Sequence, residues 1–247
     1  MTEDALRGQV VLVTGAGSGL GEATARAFAQ AGCAVVCVDV NGAGAERVSR
    51  ALTAQDARSL AIRGDVRDAD MVFGAVDTVV RELGRLDIVV NNAAVDHTVS
   101  VAGMSIEQWD QVIGVNLRAP FLFAQAAFPH MQRQHAGHIV NVASTAGTRA
   151  WANASAYHAS KWGLIGFSRA LGVEGRPDGI RVTTIIPGGM RTHFFDRFAE
   201  QGIPMPDEAN LQDPANVAEV ILFAVRMPAG SALQEVIVTP PTETSWP

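Results

Sequence analysis

The feature that most constrains the fold of this chain is a regular alternation of short apolar runs with alanine-rich stretches along most of its length. The apolar runs are rich in Val and Ile and mostly continuous, which is typical of parallel strands covered by helices on both faces. Strands are therefore predicted at Val10–Thr14, Ala34–Asp39, Ser59–Arg63, Leu86–Asn91, Gly137–Ala143, Ile180–Ile186 and Val236–Thr239.

The alanine-rich stretches between these runs fit helices. Strict alternation of strand and helix predicts an α/β fold, a doubly wound parallel sheet of about seven strands with helices on both faces. The fourth helix is expected to be interrupted or kinked by Pro120 and Pro129, because proline lacks the N–H that continues a helix. Helices are predicted at Gly19–Ala31, Ala43–Ala54, Ala69–Leu83, Ser105–Gln134, Ser155–Gly172 and Pro214–Val225.

Composition narrows the class of protein. The 247 residues, 48% hydrophobic and 18% charged, suffice for a buried core, and we expect them to form a single domain. The formal net charge is −6 and no run of Lys or Arg occurs, which argues against nucleic acid or an anionic membrane as partner. No apolar stretch approaches the roughly 20 residues that span a bilayer, and the acidic N-terminus does not resemble a signal peptide. A cytoplasmic location is therefore expected.

Neither the cysteines nor a pair of nearby histidines indicates a redox or metal site. Cys33 and Cys37 would lie about 13 Å apart on a strand, too far for a disulfide, and are interpreted as small core residues. His135 and His138 are not flanked by Cys or paired carboxylates, so no metal site is predicted.

A glycine-rich turn, Thr14–Gly21, directly follows the first predicted strand and opens the first helix. Glycines allow a tight turn and a close approach of the backbone to a pyrophosphate, and the helix N-terminus offers free N–H groups to phosphate oxygens. The turn therefore predicts a dinucleotide-binding site with contacts from Gly15, Gly17, Ser18, Gly19 and Leu20.

The second predicted strand ends in Asp39. A carboxylate at this position accepts hydrogen bonds from both ribose hydroxyls of an adenosine and repels a 2′-phosphate. Because no Arg or Lys occupies the turn or the two residues after Asp39, the cofactor is predicted to be NAD rather than NADP. The alternative is that Asp39 only caps the following helix.

Tyr157, the only tyrosine in the chain, precedes Lys161 by four residues on a predicted helix, so both side chains share one face. A phenol with a pKa of about 10 is a poor base, but a neighbouring ammonium and an oxidised nicotinamide lower that pKa toward the working range. Ser144 follows the fifth strand, where its hydroxyl can hold a substrate oxygen beside the tyrosine. The alternative for Ser144 is a cap at the strand end.

These motifs occur in the same order as in the short-chain dehydrogenase/reductase family, which the chain resembles from about Gly8 to Thr192. The resemblance implies a Rossmann-type fold, an oxidoreductase that uses a nicotinamide cofactor, and a homotetramer whose main interface uses the helices after Ser105 and Ser155. It is carried by Thr14–Gly21, Asn91–Ala94, Asn116, Ser144, Tyr157 with Lys161, and Pro187–Gly188.

The resemblance also implies the roles of the catalytic residues. Tyr157 is the general acid/base, Ser144 orients the substrate, and Lys161 holds the nicotinamide ribose and tunes the tyrosine. Asn116 anchors a water that links Lys161 to solvent, unless it only solvates a kink in its helix.

Further cofactor contacts are implied in the same way. Asp65 meets the adenine and Val66 supplies a backbone contact, unless Asp65 is only a turn residue at a strand end. The segment with Asn92 and Ala93 shapes the floor beneath the adenosine ribose. The nicotinamide is lined by Pro187, Gly188 and Thr192.

The sequence departs from the family pattern at three places. Ala94 stands where glycine is usual, and its methyl group is expected to tighten the cofactor floor without abolishing binding. Thr183 replaces a common asparagine in the sixth strand, a difference the sequence does not explain. Many relatives carry a glycine-rich segment with an acidic-Gly-Gly ending in the C-terminal region. This chain instead runs Leu233–Pro241 and ends in Ser245–Pro247, so the pocket and subunit contacts of that region are not carried over.

A long irregular stretch, Gly188–Asp213, follows the sixth strand at the edge where such sheets bind ligands, and it is predicted to be a substrate lid. Four aromatic residues form either an apolar surface over the substrate or a contact that packs the lid on the body: Trp151, Phe194, Phe195 and Phe198.

Two classes of function are compatible with these residues. The first is an enzyme that interconverts a small secondary alcohol and a ketone, with a 3-oxoacyl thioester (acyl-carrier-protein) reductase as a variant. The second is a non-catalytic NAD-sensing module, since a fold does not fix a function. The complete Ser/Tyr/Lys set favours the enzyme, because a sensor has no need for Tyr157.

Overall fold

The computed structural model describes residues 6–196, 198 and 203–243. Its strands form one seven-stranded parallel sheet, as the alternating pattern predicts. They are β1 Val10–Thr14, β2 Ala34–Asp39, β3 Ser59–Arg63, β4 Ile88–Asn91, β5 Gly137–Val142, β6 Ile180–Pro187 and β7 Glu235–Val238. Their order across the sheet is β3-β2-β1-β4-β5-β6-β7, so the direction of winding reverses between β1 and β4.

Helices cross over between successive strands, which is the connection that parallel strands require. The described α-helices are α1 Gly19–Gln30, α2 Gly42–Thr53, α3 Ala69–Leu83, α4 Ile106–Ile113, α5 Ala119–Gln134, α6 Ser155–Gly175 and α7 Pro214–Val225.

The bounds of β1, β2, β3, α3 and α7 agree with the sequence, and the other elements differ by a few residues at their ends. β4 begins at Ile88 rather than Leu86, because the N–H of Leu86 donates to the side chain of Gln134 at 3.2 Å. Among the later strands, β5 ends at Val142, β6 continues to Pro187, and β7 lies one residue earlier than predicted. The helices α1 and α2 each end one residue earlier than predicted. α6 continues to Gly175, past the predicted end at Gly172.

The predicted helix Ser105–Gln134 is divided into α4 and α5 by a π-helical segment, Gly114–Arg118. The interruption lies one turn before Pro120, which carries no N–H for the carbonyl of Asn116 four residues earlier. In the π segment the N–H of Ala119 instead bonds to Gly114 O, five residues back. Pro129 lies inside α5, which continues past it to Gln134, so of the two expected effects, an interruption or a kink, the interruption does not occur.

The two faces of the sheet pack against different helices. Alternate residues of β1 enter different cores: Val11 and Val13 pack with Phe28 of α1, whereas Val10 and Leu12 pack with the core that includes Phe123 of α5. Continuous apolar strands are needed because both faces of the sheet are covered. Among the described residues, no helix is both long and apolar enough to cross a membrane.

The structure explains Thr183, the residue that stands where the family often has asparagine. Its hydroxyl donates to Leu233 O at 2.6 Å and bonds to His138 Nε2 at 2.8 Å. His138 is buried, and burial, with a smaller effect of Arg181, lowers the pKa of the imidazole to about 3. His138 is therefore a neutral core residue that links β5 to β6. Cys33 and Cys37 are buried free thiols, as predicted.

Candidate active site

A cleft of about 600 Å³ opens at the carboxyl edge of the sheet, where the strand order reverses between β1 and β4. Open α/β sheets bind ligands at this point. Of the candidate site residues named from the sequence, Gly17 and Asn116 do not line the cleft. The others line it: Gly15, Ser18, Gly19, Leu20, Asp39, Asp65, Val66, Asn92, Ala93, Ser144, Tyr157, Lys161, Pro187, Gly188 and Thr192.

The glycine-rich turn forms a cradle that side chains would fill. Gly15 and Gly19 have positive φ values of 65° and 54°, which favour glycine. A Cβ on Gly15 would lie 3.0 Å from Ala93 Cα, and one on Gly21 would collide with Gly15 O. Because α1 begins at Gly19, its first N–H groups and its positive dipole end lie at this turn. A pyrophosphate-containing cofactor fits a cradle of this kind.

Asp39 lies on the cleft wall at the end of β2. Its carboxylate accepts hydrogen bonds from the N–H groups of Gly17 and Asn41, both at 2.8 Å. The cap of α2 is Asn41, whose side chain accepts from Gly44 N, so Asp39 is not the helix cap. The carboxylate is thus held beside the glycine-rich turn.

Two arginines beside this end of the cleft, Arg47 and Arg67, are engaged with carboxylates. Arg47 binds both carboxylate oxygens of Glu22 at 3.1 and 2.5 Å and donates to Gly17 O at 2.9 Å. The hydrogen bond from Arg47 holds the pKa of Glu22 below its usual value. Arg67 binds Asp65 with Nη2 at 2.6 Å from Oδ2, and this bond lowers the pKa of that carboxyl.

The floor of the cleft is fixed by Thr14, the last residue of β1. Its hydroxyl accepts hydrogen bonds from the N–H groups of Asn92 and Ala93, both at 3.0 Å. The side chain of Asn92 donates back to Thr14 O at 2.9 Å. Ala94 lies on the cleft wall beside them.

Ser144, Tyr157 and Lys161 lie together on the cleft wall. Lys161 is fully buried on α6, and its Nζ lies 5.6 Å from the centroid of the Tyr157 ring and donates to Val142 O at 2.8 Å. Burial lowers the pKa of Lys161 to about 7. Ser144 follows β5 and its Oγ accepts from Ala146 N at 3.1 Å, so it caps a short turn as well as facing the cleft.

Asn116 stands behind this group, in the π segment. Its Nδ2 donates to Val95 O at 2.8 Å and to Ser160 Oγ at 3.1 Å, and its Oδ1 accepts from Val95 N at 2.9 Å. Ser160 in turn donates to the main-chain carbonyl of Tyr157 at 2.8 Å. The Asn116 amide therefore ties α6 to the loop after β4.

The lid is fastened at both ends to the body of the protein. Met190 and Gln212 form a parallel bridge, and the side chain of Gln212 donates to Val238 O at 2.9 Å. Three aromatic contacts then run along the lid from Tyr157, with ring centroids 5.7, 5.6 and 5.3 Å apart: Tyr157–Phe194, Phe194–Phe195 and Phe195–Phe198.

Sequence reasoning missed several residues that the fold brings to this site. Glu243, far along the chain, lies on the cleft wall next to Gly188 and pairs with Arg149 at 3.9 Å. Asp96 lies in a second cavity that also contacts Tyr157. A carboxylate two residues after Asn92–Ala94, at the carboxyl edge of the sheet, is a signal that could have identified Asp96. No pattern points to Glu243, which follows β7 in an irregular tail.

The fold and the cleft are those of a dinucleotide-binding α/β protein, and a Ser/Tyr/Lys group lies on the cleft wall. Residues 9–202 match the family model of short chain dehydrogenases, and the chain belongs to that family. It is 41% identical to a D-threitol dehydrogenase of Mycolicibacterium smegmatis over 74% of this chain and 70% of the relative. It is 34% identical to a 3-oxoacyl-(acyl-carrier-protein) reductase of Thermotoga maritima over 88% of this chain and 90% of the relative.

A solved structure shares the whole architecture. The crystal structure of a metagenomic short-chain oxidoreductase in complex with NADP matches with a TM-score of 0.83 at 31% identity, covering 96% of this chain and 98% of that chain. The protein is thus an oxidoreductase that acts on CH–OH groups and binds a nicotinamide cofactor.

Proposed function

We propose that this protein is an NAD-dependent dehydrogenase that interconverts a secondary alcohol and a ketone, with Tyr157 as general acid/base. The observation that carries the proposal is the joint placement of Ser144, Tyr157 and Lys161 on the wall of the cleft that the glycine-rich turn opens. When bound, the nicotinamide supplies the acceptor for the hydride that leaves the carbinol carbon.

In the oxidation, the substrate hydroxyl lies between Ser144 and Tyr157. The Ser144 hydroxyl holds the oxygen in place, and the proton of the alcohol passes to the Tyr157 oxygen as the carbonyl forms. The reduction uses the same groups in reverse. An ammonium on Lys161, 5.6 Å from the ring centroid, favours the phenolate over the phenol and so assists proton removal.

Asn116 is proposed to position this group and to anchor the proton path. Its side chain holds Val95 and Ser160, and Ser160 holds the main chain of Tyr157. Because Pro120 has no N–H, the Asn116 carbonyl lacks its α-helical donor, which supports its use as an acceptor for a water on the path from Lys161 to solvent.

The preference for NAD is supported by Asp39. Its carboxylate, held by Gly17 N and Asn41 N, suits the hydroxyls of an adenosine ribose and repels a 2′-phosphate. Arg47 and Arg67 are paired with Glu22 and Asp65 and are therefore poor partners for that phosphate. The same proposal includes three further sets of cofactor contacts. Asp65 and Val66 contact the adenine, and Asn92 and Ala93 contact the adenosine ribose. The nicotinamide is contacted by Pro187, Gly188 and Thr192.

The test is NADH or NADPH formation across a panel of secondary alcohols, sugars and hydroxyacyl thioesters. We expect kcat/KM with NAD⁺ to exceed that with NADP⁺ by at least about tenfold, because the carboxylate opposes the added phosphate charge. Asp39→Ser should reduce this preference, whereas Asp110→Ser, at an exposed position on α4, should leave it unchanged. A wild-type preference for NADP⁺ would contradict the proposed cofactor.

A further inference from the structure

Beside the cofactor cleft lies a second cavity of about 330 Å³, here called the side cavity. The cofactor cleft and the side cavity share four lining residues: Tyr157, Trp151, Phe194 and Phe195. The side cavity therefore begins at the proposed catalytic tyrosine, Tyr157. A pocket of this size holds a small organic group. The side cavity is therefore placed to receive the part of a substrate that extends away from the reacting carbon.

The walls of the side cavity combine aromatic rings with one carboxylate. Trp151, Phe194, Phe195 and Phe198 give it an apolar side, suited to the carbon skeleton of a ligand. Among the described residues that line it, Asp96 is the one with a carboxyl group, and it is 9% exposed. A carboxylate accepts hydrogen bonds and donates none.

Asp96 is held in place from both sides along the chain. The preceding residue, Val95, is clamped by two hydrogen bonds to the Asn116 side chain, at 2.8 and 2.9 Å. The following residue, His97, bonds through Nε2 to Gln111 Oε1 at 2.9 Å. Thr98 donates to Asp96 Oδ2 at 3.2 Å. An anchored acceptor in an apolar pocket discriminates strongly between ligands with and without a donor.

We propose that Asp96 is a specificity-determining residue that accepts a hydrogen bond from a donor group of the substrate, a hydroxyl or an ammonium, remote from the reacting carbinol. This inference rests on the proposed alcohol dehydrogenase function. The substrate class is then an alcohol with a compact apolar body and a second donor. Substrates with a carboxylate or phosphate in the side cavity are excluded by charge repulsion.

The test uses three phenylethanols that differ only in the para group, which is methyl, hydroxymethyl or aminomethyl. Their binding to the full-length Tyr157→Phe protein with NAD⁺ is measured by calorimetry, so that no turnover disturbs the equilibrium. We expect the hydroxymethyl or the aminomethyl compound to bind about ten- to a hundredfold more tightly than the methyl compound. The preferred compound identifies the donor as hydroxyl or ammonium.

Asp96→Leu in the same background should abolish this preference, and Asp96→Asn should weaken the aminomethyl compound more than the hydroxymethyl compound, because an amide oxygen still accepts a hydrogen bond. Asp110→Asn is the control for a lost charge, because Asp110 is exposed on α4. This variant should leave the affinity for all three compounds unchanged. Equal binding of all three compounds, no binding of any, or an unchanged preference in Asp96→Leu would overturn the inference. Turnover by the wild-type protein is measured separately, so failure of the proposed function is distinguished from failure of this assignment.

Discussion

Two buried side chains of this protein, Lys161 and His138, have protonation states that depend on their surroundings. Lys161 and His138 are both buried, and burial lowers the pKa of each, to about 7 and about 3. Lys161 faces the cleft, where a phenolate can offset its charge, whereas His138 lies between β5 and β6. The same physical cause, burial, thus opposes the charge on both side chains, and the two residues differ in whether an anion can offset it.

His138 should make the protein sensitive to acid. The pKa in the folded state is about 3, below the value of about 6.5 in an unfolded chain, so the unfolded state binds more protons between these values. This contribution to stability is complete above pH 6.5 and is lost as the pH falls toward 3. His138→Gln should remove roughly 2–4 kcal/mol of this pH dependence in denaturant unfolding.

The control for this measurement is His135→Asn. His135 is exposed and has a φ of 49°, a conformation that asparagine tolerates. Its replacement should leave the acid dependence of the free energy of unfolding intact. If His138→Gln and the wild-type protein show the same slope between pH 3 and 6.5, His138 is not neutral in the folded state.

At the residue scale, sequence motifs predicted the cleft well because each motif has a local physical reason. The glycine-rich turn and the residues at the strand ends lie at one edge of a parallel sheet, whatever the rest of the chain does. Asp96 was missed although its place just after Asn92–Ala94 is a signal, whereas Glu243 was missed because the fold alone brings it to the site. The bond between His138 and Thr183 joins residues 45 positions apart and has no local signal.

At the scale of elements, the π segment Gly114–Arg118 is the main departure from the sequence prediction. Apolar residues continue through it with helical spacing, so hydrophobic periodicity cannot separate α4 from α5. The proline signal was present, but its effect falls one turn upstream of Pro120, at Asn116. Pro129 shows the opposite case, because it lies at an exposed position inside α5 and the helix continues past it.

Asn116 should therefore matter to both stability and turnover. Asn116→Ala removes the donor and acceptor that hold Val95, and we expect a loss of about 1–3 kcal/mol in the free energy of unfolding and at least about a tenfold fall in kcat. Ser160→Ala leaves both bonds to Val95 in place, so it should lower the free energy of unfolding and kcat by less than Asn116→Ala does. Equal effects of the two variants would show that the clamp on Val95 is unimportant.

The lid and the C-terminal tail illustrate the limit of sequence reasoning for irregular segments. The range Gly188–Asp213 was predicted as a lid, and its described part supplies Thr192, Phe194 and Phe195 to the cleft wall. Its bridge between Met190 and Gln212 has no sequence signature. Of the departure noted in the tail, Leu233–Pro241 contains β7, and Ser245–Pro247 lies outside the described residues.

At the scale of the whole molecule, apolar side chains remain exposed on the helices that the family uses for assembly. Trp109 on α4, Phe121 on α5 and Trp162 on α6 are 40%, 45% and 55% exposed. Exposed apolar patches of this kind often mark protein–protein interfaces. We accordingly propose that the protein is a homotetramer with these helices at its main interface.

Trp162→Glu should disrupt that assembly, because it places a charge in an apolar interface. We expect the wild-type protein to sediment with four times the chain mass of 26.0 kDa and the variant with a lower mass. Phe73→Glu on α3, where Phe73 is 39% exposed, is a control of similar exposure and should retain the wild-type mass. Sedimentation of the wild-type protein as a monomer would rule out the tetramer.

The most direct test of the catalytic assignment is a comparison of Tyr157→Phe with the wild-type protein, measuring NAD⁺ affinity and NAD⁺-linked oxidation of an alcohol from the panel. The phenylalanine retains the ring beside Phe194 and removes only the hydroxyl that takes the proton. We predict that the dissociation constant for NAD⁺ changes little while kcat falls by about a hundredfold or more. Turnover at the wild-type rate, or joint loss of turnover and NAD⁺ binding, would contradict the role of Tyr157 as the general acid/base.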